Sequence, residues 1–189
     1  YPVMTHGAER TDHSASVDLK TLTTVGNWGY FHEFGHNAQR REWTFEGTGE
    51  VTNNLFSLYL GEKMAGIEPW DNPWLENQKG KPAKYFASGA KFDEWKKQPG
   101  LALMMYATVQ REFGWAPFQA AFKAYLTAPK EETPVTEEEK RSVWLVRLSE
   151  ALGRDLGPYF EYWGVPTSKE VRAKLVHFEP WMPKEYGQP

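Results

Sequence analysis

Two histidines four residues apart, with a glutamate directly after the first, stand in the segment WGYFHEFGHN, where His32, Glu33 and His36 make an HExxH pattern. At about 100° per residue, an α-helix brings His32 and His36 to nearly one face, one turn apart, so both imidazoles can reach a single metal ion. Glu33 is offset from that face. This suits it to take a proton from a metal-bound water rather than to ligate, and the pattern points to zinc-dependent hydrolysis.

A catalytic zinc commonly takes three protein ligands and keeps one position open for water. One class of HExxH enzymes draws the third from a histidine six residues past the second, with a glycine at the third position; Gln39 and Glu42 stand there instead. A carboxylate remains, and Glu46 and Glu50 are the candidates. Glu50 is favoured because it opens an amphipathic stretch in which Val51, Leu55 and Leu58 bury one side and leave Glu50 and Asn54 together on another. Asn54 can then accept the free ring N–H of a ligand histidine and hold its tautomer. Asn37 and Asn53 are lesser candidates for the same task. Glu46 lies in a Gly-flanked loop and is a candidate for binding substrate instead.

The chain has 189 residues and a net charge of −3 with interspersed signs, which gives no basic stripe and argues against nucleic acid as a partner. Its longest apolar run, Leu101 to Val109, has nine residues even with Thr108 allowed, too few to span a bilayer. With no cysteine, thiolate sites and disulfides are excluded and His, Asp and Glu form the ligand pool. The opening Tyr1-Pro2-Val3-Met4 has neither an initiator Met nor a charged-then-apolar leader, as expected of a processed or truncated product. The 9 Trp, 9 Tyr and 11 Phe serve mostly as core, but Trp43, Trp70 and Trp74 are candidates for stacking on a sugar face.

Three segments follow from the pattern of the chain. Residues 1–65 carry the metal site: a polar stretch to 27, read as strand or loop, then a helix from Trp28 to about Arg41 with Phe31, Phe34, Gly35 and Ala38 as its apolar stripe, then a helix from Glu50 to Glu62. Gly35, between the histidines, costs about 1 kcal/mol in a helix interior, so a close backbone contact is expected there. Residues 66–100, with Pro69, Pro73, Pro82 and Pro99, read as a long irregular Trp/Pro-rich surface segment. Residues 101–189 read as a helical subdomain: Leu101–Phe113 stopped by Gly114, a helix from Pro117 to Leu126, a capping box of Thr136 and Glu139 before a helix ending at Gly153, a short helix capped by Asp155, and a second capping box of Thr167 and Glu170. No linker divides the chain, so it reads as one domain.

The stretch WGYFHEFGHNAQ, followed by Trp43 and GTGEVTNNLFSLYL, closely resembles the enhancin-type peptidases, a mucin-directed gluzincin group also called peptidase family M-sixty. Weaker similarity runs through REFGWAPFQAAFKAYL and LGPYFEYWGVP, and upstream to YPVMTH, covering most of the chain. The resemblance implies a mainly α, zincin-like fold, with an active-site helix, a C-terminal helical subdomain and any upstream β-sheet largely absent from this chain. It implies His32, His36 and Glu50 as zinc ligands and Glu33 as catalytic base. It also implies a secreted or surface-displayed enzyme acting on O-glycosylated, mucin-like proteins. Ala38 departs from the family pattern, where a histidine is expected. Two rival readings follow from the same residues: a catalytically silent glycoprotein-binding module, and a zinc peptidase with a non-mucin substrate. The oxyanion-stabilising donor is open, with His6, His13, Tyr106 and Tyr159 as candidates by residue type.

Overall fold

In the computed structural model, which describes residues 18–186, the histidine-bearing helix lies against a longer helix that follows it, and that longer helix packs on a helical body. A short helix α1 (Leu19–Thr24) leads in, where the sequence suggested strand or loop. Asn27 then caps α2 (Trp28–Ala38), its side-chain oxygen accepting from the Tyr30 N–H at 3.1 Å, which satisfies one of the open donors of the first turn. Helix α3 (Gly49–Ala65) ends at Gly66, whose φ of +67° gives the left-handed cap that closes the last turn.

Helices α2 and α3 pack directly on each other, and the apolar stripe expected on α2 is narrower than its spacing suggested. Phe31 and Gly35 are buried, whereas Phe34 is 49% exposed and Ala38 is also exposed. The reason is the close approach at Gly35, which leaves a seam only as wide as Phe31 and Gly35 and turns the outer residues to solvent.

The segment 66–100 is not irregular. It forms a single-turn helix at Pro69–Asp71 and then α4 (Pro73–Glu76), α5 (Lys81–Ala87) and α6 (Phe92–Trp95), each short but each burying an anchor. Leu75, Tyr85 and Trp95 sit in the core, and the Tyr85 hydroxyl donates to the Trp163 carbonyl at 2.8 Å. Burial pushes the Tyr85 phenol up to about 12. The prolines that read as breakers occupy the first turns of these helices, where a missing N–H costs nothing.

The body is organised by α7 (Pro99–Phe113), buried from Gly100 to Gln110 on every side, as a helix central to a helical layer must be. Helix α3 packs on it, while α8 (Ala116–Thr127) packs against α9 (Glu137–Leu152). The capping box of Thr136 and Glu139 is present in both directions, and Gly153 at φ +63° stops α9. Two cap assignments shift by one residue. Leu156, not Asp155, precedes α10 (Gly157–Tyr162), because the Asp155 backbone is engaged in a bridge to Pro180; its carboxylate still accepts from the Gly157 N–H at 2.7 Å. Ser168, not Thr167, caps α11 (Lys169–Ala173), its hydroxyl accepting from Val171. The architecture is mainly α and zincin-like, and there is no strand element among the described residues.

Candidate metal centre

Helix α2 delivers both imidazoles to one side, and the first turn of α3 delivers Glu50 against them. The Glu50 Oε2 lies 3.1 Å from His32 Nε2 and 3.7 Å from His36 Nε2, and one ligand atom from each of the three residues falls within 4.8 Å of the others. The rings of His32 and His36 meet edge-on, with centroids 4.9 Å apart.

The far nitrogen of each ring decides the chemistry of the near one. His32 Nδ1 is 2.8 Å from the side-chain oxygen of Asn54, and His36 Nδ1 is 2.8 Å from the side-chain oxygen of Gln39. An amide oxygen only accepts, so each Nδ1 carries a proton, and in the neutral ring that leaves each Nε2 with a lone pair. Two lone pairs and a carboxylate oxygen then converge, an arrangement that is repulsive by itself and relieved by a cation among them. Ligand atoms around a tetrahedral zinc at about 2.0–2.2 Å sit ~3.4 Å apart, close to the two distances found here, so the residues fit such an ion. Glu50 lies in the first turn of α3, where the helix dipole favours its negative charge.

Glu33, on the same helix turn, is partly buried and outside the three-residue cluster. Glu46 does not join the cluster. Lys96 at 3.0 Å and Arg141 at 2.9 Å hold its carboxylate, and its backbone N–H donates to Glu137, so it bolts the loop after α2 onto α6 and α9. Asn37 is exposed, with a 3.5 Å contact to the Glu33 carbonyl; Asn53 is fully buried against Gly35 rather than against a histidine.

The candidate sugar-stacking tryptophans are engaged elsewhere. Trp43 is 3% exposed, wedged between Phe122 and Tyr125 at centroid distances of 5.0 and 5.5 Å, and has no face to offer a ligand. Trp70 carries the Arg111 guanidinium 4.1 Å above its ring and the Lys79 ammonium at 5.0 Å. Trp74 stacks on Trp28 at 4.4 Å, pinning the start of α2 to α4, and is the one of the three adjoining the metal helix. Tyr106 and Tyr159 are core residues whose phenols burial drives upward, and the Tyr159 hydroxyl donates to the Met105 carbonyl. His6 and His13 lie outside the described residues. The sequence pattern used Gln39 only to exclude a third histidine ligand and gave it no role at the site, although an amide three residues past the second histidine was the signal for one.

The sequence profile described as "Peptidase M60, enhancin and enhancin-like" matches residues 1–164. The chain is 34% identical over 185 residues to TRPM8 channel-associated factor 2 of Bos taurus, covering 96% of this chain and 20% of that protein. It is 35% identical over 185 residues to the Mus musculus protein of the same name, covering 96% of this chain and 19% of that one. It therefore spans about a fifth of the length of these relatives. A functionally unknown conserved protein from Bacillus anthracis str. Ames, solved as a mutant, has the same fold, with a TM-score of 0.75 at 25% identity over 93% of this chain and 36% of that one.

Proposed function

Since the chain belongs to the peptidase M60, enhancin and enhancin-like family, we propose that it is a zinc-dependent endopeptidase cleaving O-glycosylated, mucin-like proteins. The observation that carries the catalytic half is the convergence of His32 Nε2, His36 Nε2 and Glu50 Oε2 beside Glu33. A zinc ion held there supplies Lewis acidity, polarising a carbonyl and making water a better nucleophile. Glu33 takes the proton from the attacking water as its oxygen bonds to the carbonyl carbon, and delivers a proton to the amine as the C–N bond breaks. Asn54 and Gln39, by accepting from Nδ1 of the two histidines, would leave Nε2 of each ring as the atom that holds the ion.

The mucin half rests on the family resemblance, as does placement of the enzyme outside the cell or on its surface. No helix among the described residues is long and apolar enough to cross a membrane. In this reading residues 1–189 work as one peptidase domain, with 1–65 holding the ion and the following helices supporting them.

A second reading, a catalytically silent binding module, is favoured by one observation: the curated relatives are named for association with a channel. One experiment separates the readings. Paired glycosylated and deglycosylated mucin-type peptides are incubated with wild type and Glu33→Gln, and the products are read by mass spectrometry. Cleavage of the glycosylated peptide by wild type alone supports the proposal. Equal cleavage of both peptides removes the mucin claim and leaves a zinc peptidase; no cleavage with zinc bound favours the binding module.

A further inference from the structure

Gln39 follows the last residue of α2, and its side chain makes three hydrogen bonds that ending a helix does not require. The helix end is already closed by its backbone, where the Gln39 N–H donates to the Gly35 carbonyl at 3.2 Å. The side-chain oxygen accepts from His36 Nδ1 at 2.8 Å, while the amide nitrogen donates to the Gly49 carbonyl at 2.5 Å and to the Thr52 hydroxyl at 2.6 Å. Both amide hydrogens are used. The orientation of the amide is determined as well, because reversing it would set an oxygen against the Gly49 carbonyl, two acceptors in contact. Thr52 passes the connection on by donating to the Thr48 carbonyl at 3.2 Å.

Gly49 and Thr52 flank Glu50 in the first turn of α3. One side chain therefore grips the ring of one candidate ligand and the backbone beside another. We infer that Gln39 is a positioning residue of the metal centre: it fixes His36 with its proton on Nδ1 and ties that ring to the turn carrying Glu50, so that the two ligands hold one spacing. This rests on the metal-centre reading above. His32 is held separately, through Asn54, so loss of Gln39 acts on His36 and leaves the His32 ring in place.

The test uses the full chain as wild type, Gln39→Leu and Gln39→Glu, with zinc affinity measured by competition against a chromophoric chelator. Imidazole ¹⁵N NMR of the metal-free and zinc-loaded chains reads the two tautomers. Gln39→Leu is expected to weaken zinc about 10–100-fold and to lose the Nδ1–H signature at His36 while that of His32 persists. Gln39→Glu keeps an acceptor for the ring but loses the donors to Gly49 and Thr52 and sets an oxygen against the Gly49 carbonyl. It is expected to restore the His36 signature while its zinc affinity stays below that of wild type, a separation of the two readouts that a merely structural role would not produce. Unchanged affinity in Gln39→Leu, or equal disturbance of both histidines, overturns the inference. A wild type that takes up no zinc sinks the metal reading instead, and the metal-free spectra still decide whether Gln39 sets the His36 tautomer.

Discussion

Gly35 of α2 faces Asn53 of α3 so closely that a β-carbon on Gly35 would lie 2.1 Å from the Asn53 side-chain oxygen and 3.0 Å from its backbone oxygen. The glycine between the two histidines is what lets the metal helix come near enough to α3 for Glu50 to reach them. Alanine is the better helix former by about 1 kcal/mol, yet here the clash outweighs that gain. Gly35→Ala is expected to destabilise the chain by about 1–3 kcal/mol, seen as a lower melting temperature, and to weaken zinc binding as α2 is pushed outward. Adding Asn53→Ala should recover part of the loss, because the side-chain oxygen is the nearer obstacle. An unchanged melting temperature in the single variant would refute the contact.

The two carboxylates near the site are expected to behave oppositely. His32→Ala, His36→Ala and Glu50→Ala should each abolish or strongly reduce zinc uptake by elemental analysis, since two ligands rarely retain the ion. Glu46→Ala should leave the stoichiometry intact, because its partners are Lys96 and Arg141. The reverse order for Glu46 and Glu50 would move the third ligand into the loop.

Glu33→Gln is expected to keep one zinc per chain and the wild-type melting temperature while losing most peptide turnover, as a proton acceptor is removed without disturbing a ligand. Zinc loss in this variant would overturn the assignment of Glu33 as base.

Acid should destabilise the fold partly through Glu62. Burial pushes its carboxyl up, but hydrogen bonds from Lys63 and from the Trp115 indole outweigh this, and its pKa lies below the ordinary 4.5. A depressed folded value means that its stabilisation is present above the ordinary value and is lost as pH falls below it. The melting temperature of Glu62→Gln should accordingly drop less steeply than that of wild type below about pH 4.5, with the two curves parallel above it. Parallel curves throughout would remove Glu62 from the acid response.

Much of the local structure and most of the candidate site were legible in the sequence. The pairing of His32 with His36, the capping box at Thr136 and the stops at Gly114 and Gly153 depend on residues within about four positions of one another, where helix geometry alone sets the distance. Asn54 and Glu50 share a helix turn, so their common face was readable too. Tertiary structure decided the rest. Whether Trp43 faces a ligand or the core depends on Phe122 and Tyr125 some eighty residues away, and whether Glu46 meets a metal or a guanidinium depends on Arg141. The prolines of 66–100 read as breakers because their buried neighbours Leu75, Tyr85 and Trp95 find partners only in the folded core. The role of Gln39 was not legible for the same reason: its hydrogen bonds to Gly49 and Thr52 exist only once α3 has folded back on α2, and nothing in local periodicity encodes that approach.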